Sequence, residues 1–244
     1  METKSARVGW IDEVRGLAVW AMILYHIAFN ITEFLELPVP WLRNIMESRV
    51  LGVLHTVFVA IFLGLSGVCC HFTRHPFWRA GKVLLCAGAV TAVTVLVFPD
   101  ATIWFGILHC LAVCMLLYAL LQKYLSKIPT AWGLLGSVLL FFLTMRLPDG
   151  FVFSCALPSA WYRGGFWTVL GFPDRFFTSL DYVPLLPHLF LFSAGVFLGA
   201  MDLPKTAARF RFLAFCGRHS LVIYLVHQPL VFGMFLLLEK ILKG

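Results

Sequence analysis

Seven stretches of this chain are apolar enough to be read as bilayer crossings, and they constrain the fold more than any other feature. They run roughly over 15–35, 49–72, 79–98, 101–122, 131–147, 184–201 and 213–239. About 20 apolar residues cross the hydrocarbon core, where every backbone N–H and C=O has to be satisfied within the protein. Helices meet that demand. The sequence therefore predicts an all-α fold, a polytopic transmembrane helical bundle of about seven spans, as a single membrane domain over 1–244. Composition agrees: the chain is 61% hydrophobic and 13% charged, with a mean hydropathy of +0.90. Soluble domains carry about twice that charged fraction.

One stretch differs. Residues 148–183 mix Pro, Gly, aromatics and charge, and are too long for a plain connection. They are expected to form an ordered extracytoplasmic cap or a re-entrant segment. The opening residues lack the short apolar core and small-residue cleavage site of a signal peptide, so the first span is expected to be retained. No internal repeat is evident. Seven cysteines, an odd number, point to buried free thiols rather than a disulfide framework.

The net charge of +7 lies in short loops, which argues for membrane topology and against a nucleic-acid partner. With the N-terminus in the cytoplasm, twelve cations face inward, among them Lys4, Arg7, Arg15, Arg79, Lys205 and Arg218. Seven face outward, among them Arg43, Arg175, Lys240 and Lys243. This bias predicts an N-in, C-out arrangement.

Five histidines, His26, His55, His109, His188 and His227, fall inside these apolar runs or toward their outer edge, away from the cytoplasmic cations. An ionisable side chain there is costly and is a functional-site candidate by default. Counting along each span at about 1.5 Å per residue puts all five between mid-membrane and the outer boundary. A shared polar chamber is the expectation. His55 and His188 lie near enough to the interface to be simple anchors, whereas His26, His109 and His227 lie deeper. Asp181 falls close to the outer boundary.

Helical spacing adds detail. Arg15 and His26 share a face, about 16 Å apart along the axis. Ser220, Tyr224 and His227 form one stripe with Gln228 beside them, and Pro229 is expected to kink the helix there. Gly106 leaves room for a neighbour or ligand one turn below His109. His55 and Ser66 also share a face, although a small residue at a helix contact explains Ser66 equally well.

Four segments carry more than composition: WIDEVRGLAVWAMILYH ending at His26, IWFGILH ending at His109, SLDYVPLLP containing Asp181, and GRHSLVIYLVHQP from Gly217 to Pro229. In this order they resemble the membrane acyltransferase family named for heparan-α-glucosaminide N-acetyltransferase, and the short prokaryotic members more than the longer lysosomal enzyme. The resemblance covers nearly the whole chain. It implies transfer of an acetyl group from acetyl-CoA, the acyl-donor substrate, across the bilayer to an acceptor such as an amino sugar or other glycan. It also implies residence in a bacterial inner (plasma) membrane. The chain departs from the lysosomal enzyme by placing His26 where that enzyme has an asparagine, and His55 does not align with its proposed catalytic histidine.

Residue chemistry points the same way. Acyl transfer needs a base, which histidine supplies near neutral pH, and a donor to the developing oxyanion. His26, His109 and His227 are the candidate acid–base residues, with Asp181 to orient a histidine or bind an amine. A second histidine, Tyr224 or Gln228 is a candidate oxyanion donor. Arg15, Arg79 and Arg218 are candidate partners for CoA phosphates, and Ser66 is a further candidate lining residue. General-base catalysis in a ternary complex and an acetyl-histidine intermediate both remain open. No metal is expected, because none of the five intramembrane histidines forms an HxxxH or HxH pair. A homodimer is compatible with the sequence. Two rival readings are a polysaccharide O-acyltransferase and a proton-coupled transporter using the same histidines.

Overall fold

The computed structural model describes residues 8–34, 39–204 and 206–243, and for 34, 236 and 238–243 it describes the backbone alone. Lys4, Arg7 and Lys205 lie outside the described residues, as do the side chains of Lys240 and Lys243. The chain is helical almost throughout: α1 (Gly9–Phe29), α2 (Pro40–Met46), α3 (Arg49–His71), α4 (Pro76–Val97), α5 (Ile107–Leu125), α6 (Thr130–Thr144), α7 (Phe166–Leu170), α8 (Leu185–Gly199), α9 (Arg211–Arg218) and α10 (Ser220–Lys243). A π-helical turn, Asn30–Phe34, continues α1.

Among the described residues, four helices are long and apolar enough to cross a membrane: Gly9–Glu33, Arg49–His71, Pro76–Val97 and Ile107–Leu125. Thr130–Thr144, Leu185–Gly199 and Ser220–Phe235 are apolar but shorter. The helices thus support an integral membrane protein, with four of the expected seven runs present as helices of full membrane length among the described residues. Of the boundaries that moved, two have a clear physical cause. The fourth run begins at Ile107 rather than 101, because Pro99–Ala101 forms a 3₁₀ turn and Gly106 is extended. The seventh run, expected as one helix over 213–239, breaks at His219 into α9 and α10. The helix continues through Pro229.

The chain divides into two compact units, residues 1–62 with 203–244, and residues 63–202. In the first unit, α1 packs against α9. A Cβ on Gly217 would overlap the Asp12 carbonyl, and one on Gly16 would overlap the Leu213 carbonyl, so these glycines let two backbones touch. The N-terminal end of α1 is tied down as well. The Gly9 amide donates to Thr206 O at 2.8 Å, Trp10 Nε1 donates to Pro204 O at 3.2 Å, and Glu13 accepts from the Phe210 amide.

In the second unit the buried core comprises Leu63, Val68, Cys70, Cys110, Cys114, Met115 and Phe192. Gly195 lies against the backbone of Gly64, bringing α8 onto the C-terminal half of α3. Residues 148–183 are ordered by their own bonds. A two-residue hairpin pairs Phe151 with Ala156, Tyr162 Oη donates to Leu147 O at 2.5 Å, and Tyr182 Oη donates to Thr168 O at 2.6 Å. Burial pushes the Tyr162 and Tyr182 phenols above their ordinary pKa, so both hold the donating proton.

Candidate functional site

In the first unit His26 and His227, 201 positions apart in the chain, come into contact. His227 Nε2 lies 3.3 Å from His26 Nδ1, with the ring centroids 4.9 Å apart. Each ring is also anchored to its own helix. His26 Nδ1 lies 3.0 Å from Met22 O, and His227 Nδ1 lies 2.6 Å from Tyr224 O. A carbonyl oxygen only accepts, so each Nδ1 carries a proton when the rings are neutral, which assigns the tautomers from the bonding pattern. His227 Nε2 is then a lone pair facing the His26 Nδ1–H. His26 Nε2 is a lone pair too, and therefore a base. A proton arriving at His26 Nε2 would leave an imidazolium whose opposite N–H already meets His227 Nε2 and Met22 O. This arrangement can abstract a proton and share the resulting charge.

Its surroundings are aromatic and polar. Tyr25 places its ring 5.0 Å from His55, which is itself exposed, and Tyr224 places its ring 5.6 Å from His227. Gln228 Nε2 donates to Asn30 Oδ1 at 3.4 Å. Asn30 is wholly buried, one helical turn beyond His26 and at the start of the π turn. It was missed in the sequence. The i,i+4 spacing to His26 is a signal that would have found it. Thr32 Oγ1 bonds back to Ala28 O at 3.2 Å and Phe29 O at 3.1 Å, and Arg43 Nη2 takes Thr32 O at 3.2 Å, which together satisfy the widened backbone.

The candidate phosphate ligands of this unit are engaged within the chain. Arg15 Nη2 donates to Ser220 Oγ at 2.7 Å, so the stripe on α10 is joined to α1. Arg218 lies 4.0 Å from Asp12.

The second unit holds the other candidates. Backbone 179–183 runs beside 102–107: the Leu180 amide donates to Thr102 O, the Val183 amide to Phe105 O, and Ser179 bonds both the amide and the carbonyl of Trp104. This delivers Asp181 to the start of α5, where its Oδ2 accepts the Ile107 amide at 3.3 Å. A Cβ at Gly106 would meet Asp181 at 2.9 Å, so the neighbour for which Gly106 leaves room is this aspartate. The Asp181 carboxylate lies close enough to His109 to act on it electrostatically. Phe105 sits 6.0 Å from the His109 ring. His188 Nδ1 lies 2.8 Å from Pro184 O. Arg79 Nη1 donates to Thr73 Oγ1 at 2.9 Å, and Ser66 is buried in α3. A cavity of about 430 Å³, lined by His71, Tyr118, Gln122, Lys123 and Phe197 among others, also belongs to this unit and was not anticipated from sequence.

No curated protein and no solved structure matches the chain significantly. A family model does match, that of the heparan-alpha-glucosaminide N-acetyltransferase catalytic domain, over residues 7–229. The match runs through α1 with His26 and ends one residue beyond Gln228, so it takes in nearly the whole chain and both candidate clusters. An acyltransferase assignment, several membrane-length helices and a histidine pair able to move a proton are mutually consistent, and the chain belongs to the heparan-alpha-glucosaminide N-acetyltransferase family of membrane acyltransferases.

Proposed function

We propose that this protein moves an acetyl group from acetyl-CoA to an acceptor amine or hydroxyl on a glycan, an amino sugar in the first instance, at the outer face of a bacterial inner membrane. The N-terminus is cytoplasmic in this reading, as the distribution of cations in the loops favours. The observation that carries it is the His227–His26 contact, with both Nδ1 atoms anchored to backbone carbonyls. His26 Nε2 takes the proton from the attacking group, and His227 stabilises the imidazolium that results. Direct transfer in a ternary complex follows from that role, because His26 then acts as a base rather than as the acetyl carrier.

Arg15 and Arg218, in the first unit, are the cations we assign to CoA phosphates. A phosphate would draw Arg15 from Ser220 and Arg218 from Asp12, two polar partners each cation can exchange for a doubly charged one. Asp181 acts within the second unit as a positioning residue for His109. Arg79 remains a separate candidate there.

The test has two steps. Acetyl-CoA is titrated into detergent-solubilised protein by calorimetry, with free CoA as comparator. Radiolabelled acetyl-CoA is then supplied to proteoliposomes with glucosamine as the acceptor probe. Saturable binding in the micromolar range and labelled N-acetylglucosamine are expected. A folded sample that neither binds acetyl-CoA nor transfers label would defeat the reading and turn attention to proton flux.

A further inference from the structure

Two buried polar atoms beside the histidine pair have no hydrogen-bond partner: Asn30 Nδ2 and Gln228 Oε1. They belong to the two amides already joined to each other at 3.4 Å. Turning both amides over exchanges nitrogen for oxygen at each end, and the pair again satisfies one bond. Whichever way the amides are turned, one N–H₂ and one C=O are left over. Leaving such a group unanswered away from water is costly, so a buried donor and acceptor side by side call for a ligand that brings the complement of both. The position is unusual in its backbone as well. Asn30 opens a π-helical turn, a rare feature that concentrates at functional sites.

The complement is an acyl group meeting an amine. We propose that Asn30 is the oxyanion donor of the acetyl transfer and that Gln228 orients the nucleophile. The inference rests on the acyltransferase reading above. An acceptor amine attacks the acetyl carbonyl, the C–N bond forms, and the carbonyl electron pair moves onto oxygen, where Asn30 Nδ2–H donates to it. Gln228 Oε1 accepts an N–H of the attacking nitrogen. Its other proton passes to His26 Nε2. Collapse restores C=O and breaks the C–S bond, and the proton held by His26 goes to the CoA thiolate. Amine plus thioester thus gives amide plus thiol, with nothing else consumed. Asn30 lies one turn from His26 along the chain, and Gln228 is adjacent to His227, so the donor, the acceptor and the base come from the same two helical stretches.

The test reads the acetyl carbonyl without needing an acceptor. Acetyl-CoA carrying ¹³C at the carbonyl is bound to wild-type protein, to Asn30→Ala and to Asn30→Leu, the last close in size to asparagine. Binding is measured by calorimetry and the carbonyl stretch by difference infrared spectroscopy. The expected result is a band shifted to lower wavenumber in the wild type that returns to its solution position in both variants, while Kd changes less than about tenfold. Turnover with glucosamine should fall about a hundred- to a thousandfold in either variant, as when an oxyanion-hole donor is removed. Bound acetyl-CoA with an unshifted band in the wild type overturns the inference while leaving the acyltransferase reading intact, even if neither variant folds. A shift that survives in both variants also overturns it. Failure of the folded wild type to bind acetyl-CoA removes the reading itself.

Discussion

Replacing His227 by alanine tests the central reasoning more sharply than replacing His26. His26→Ala removes the base, and general-base catalysis contributes about a hundred- to ten-thousandfold. Many mechanisms predict that loss. His227 in this structure has a narrower task. Its Nε2 lies 3.3 Å from His26 Nδ1 and, with Nδ1 bonded to Tyr224 O, has only a lone pair to offer. The bond is long for a neutral pair and strengthens when His26 becomes an imidazolium. A hydrogen bond to a charged group contributes about 1.5–3 kcal/mol. That converts to about 10- to 150-fold in rate, appearing in kcat because the charge exists after proton transfer and not in the ground state. The KM for acetyl-CoA should stay within about threefold, since a ground-state contact is not lost. The decisive comparison is the double variant. If His227 acts only through His26, the pair is no slower than His26→Ala alone; if the two act separately, their losses multiply. The assay is release of CoA thiol from acetyl-CoA with glucosamine present, on protein whose melting transition matches the wild type. A full rate in His227→Ala, or multiplicative losses in the double variant, would refute the relay.

Further expectations follow from other contacts. Arg15→Ala should raise the KM for acetyl-CoA at least about tenfold, the size of one charged hydrogen bond, yet leave the KM for phosphate-free acetyl-pantetheine unchanged; an equal rise for both would remove Arg15 from phosphate binding. Asp181→Ala should destabilise by about 0.5–2 kcal/mol through loss of the acceptor at the start of α5, seen as faster hydrogen exchange at the Ile107 amide. Asp181→Asn keeps a carbonyl oxygen and should restore that protection. Gly217→Val drives a side chain into the Asp12 carbonyl, an overpacking that costs about 1–3 kcal/mol. The melting temperature in detergent should fall by about 2–12 °C on that basis. Gly136→Ala, where a Cβ meets nothing within 4 Å, should show no loss; equal falls in both variants would contradict the packing account.

Local pattern carried much of this protein. A run of apolar residues reads as a helix in lipid because the bilayer offers no other partner for the backbone. The helices accordingly appeared where the hydropathy placed them. The motif around His26 and the one from Gly217 to Pro229 were legible for the same reason, as polar residues standing out against an apolar field. Spacing along one helix was legible too: Ser220, Tyr224 and His227 lie on α10 as a stripe, and Gly106 does sit beside a close neighbour. Helix ends were not. The start of α5 depends on Asp181, which arrives from 74 positions away. The break between α9 and α10 accompanies the contact of Gly217 with the α1 backbone, which no window around residue 217 contains.

The sequence by itself determined that the chain is a helical membrane protein, which residues interrupt its apolar runs, and to which family those interruptions point. Tertiary structure decided which of them meet. His26 finds His227 across 201 positions, Arg15 finds Ser220 across 205, and Asn30 finds Gln228 across 198. The physical reason is the range of the forces involved. Hydropathy and helical period act over one to a few turns and leave a trace in neighbouring residues. The value of a lone polar group in an apolar setting depends on the partner brought to it by helix packing, and that packing is set by backbone contacts such as Gly16 with Leu213. Asn30 shows the difference most clearly: as a letter it is one more polar residue at the end of a span, and only in the folded chain is it a wholly buried amide paired with Gln228.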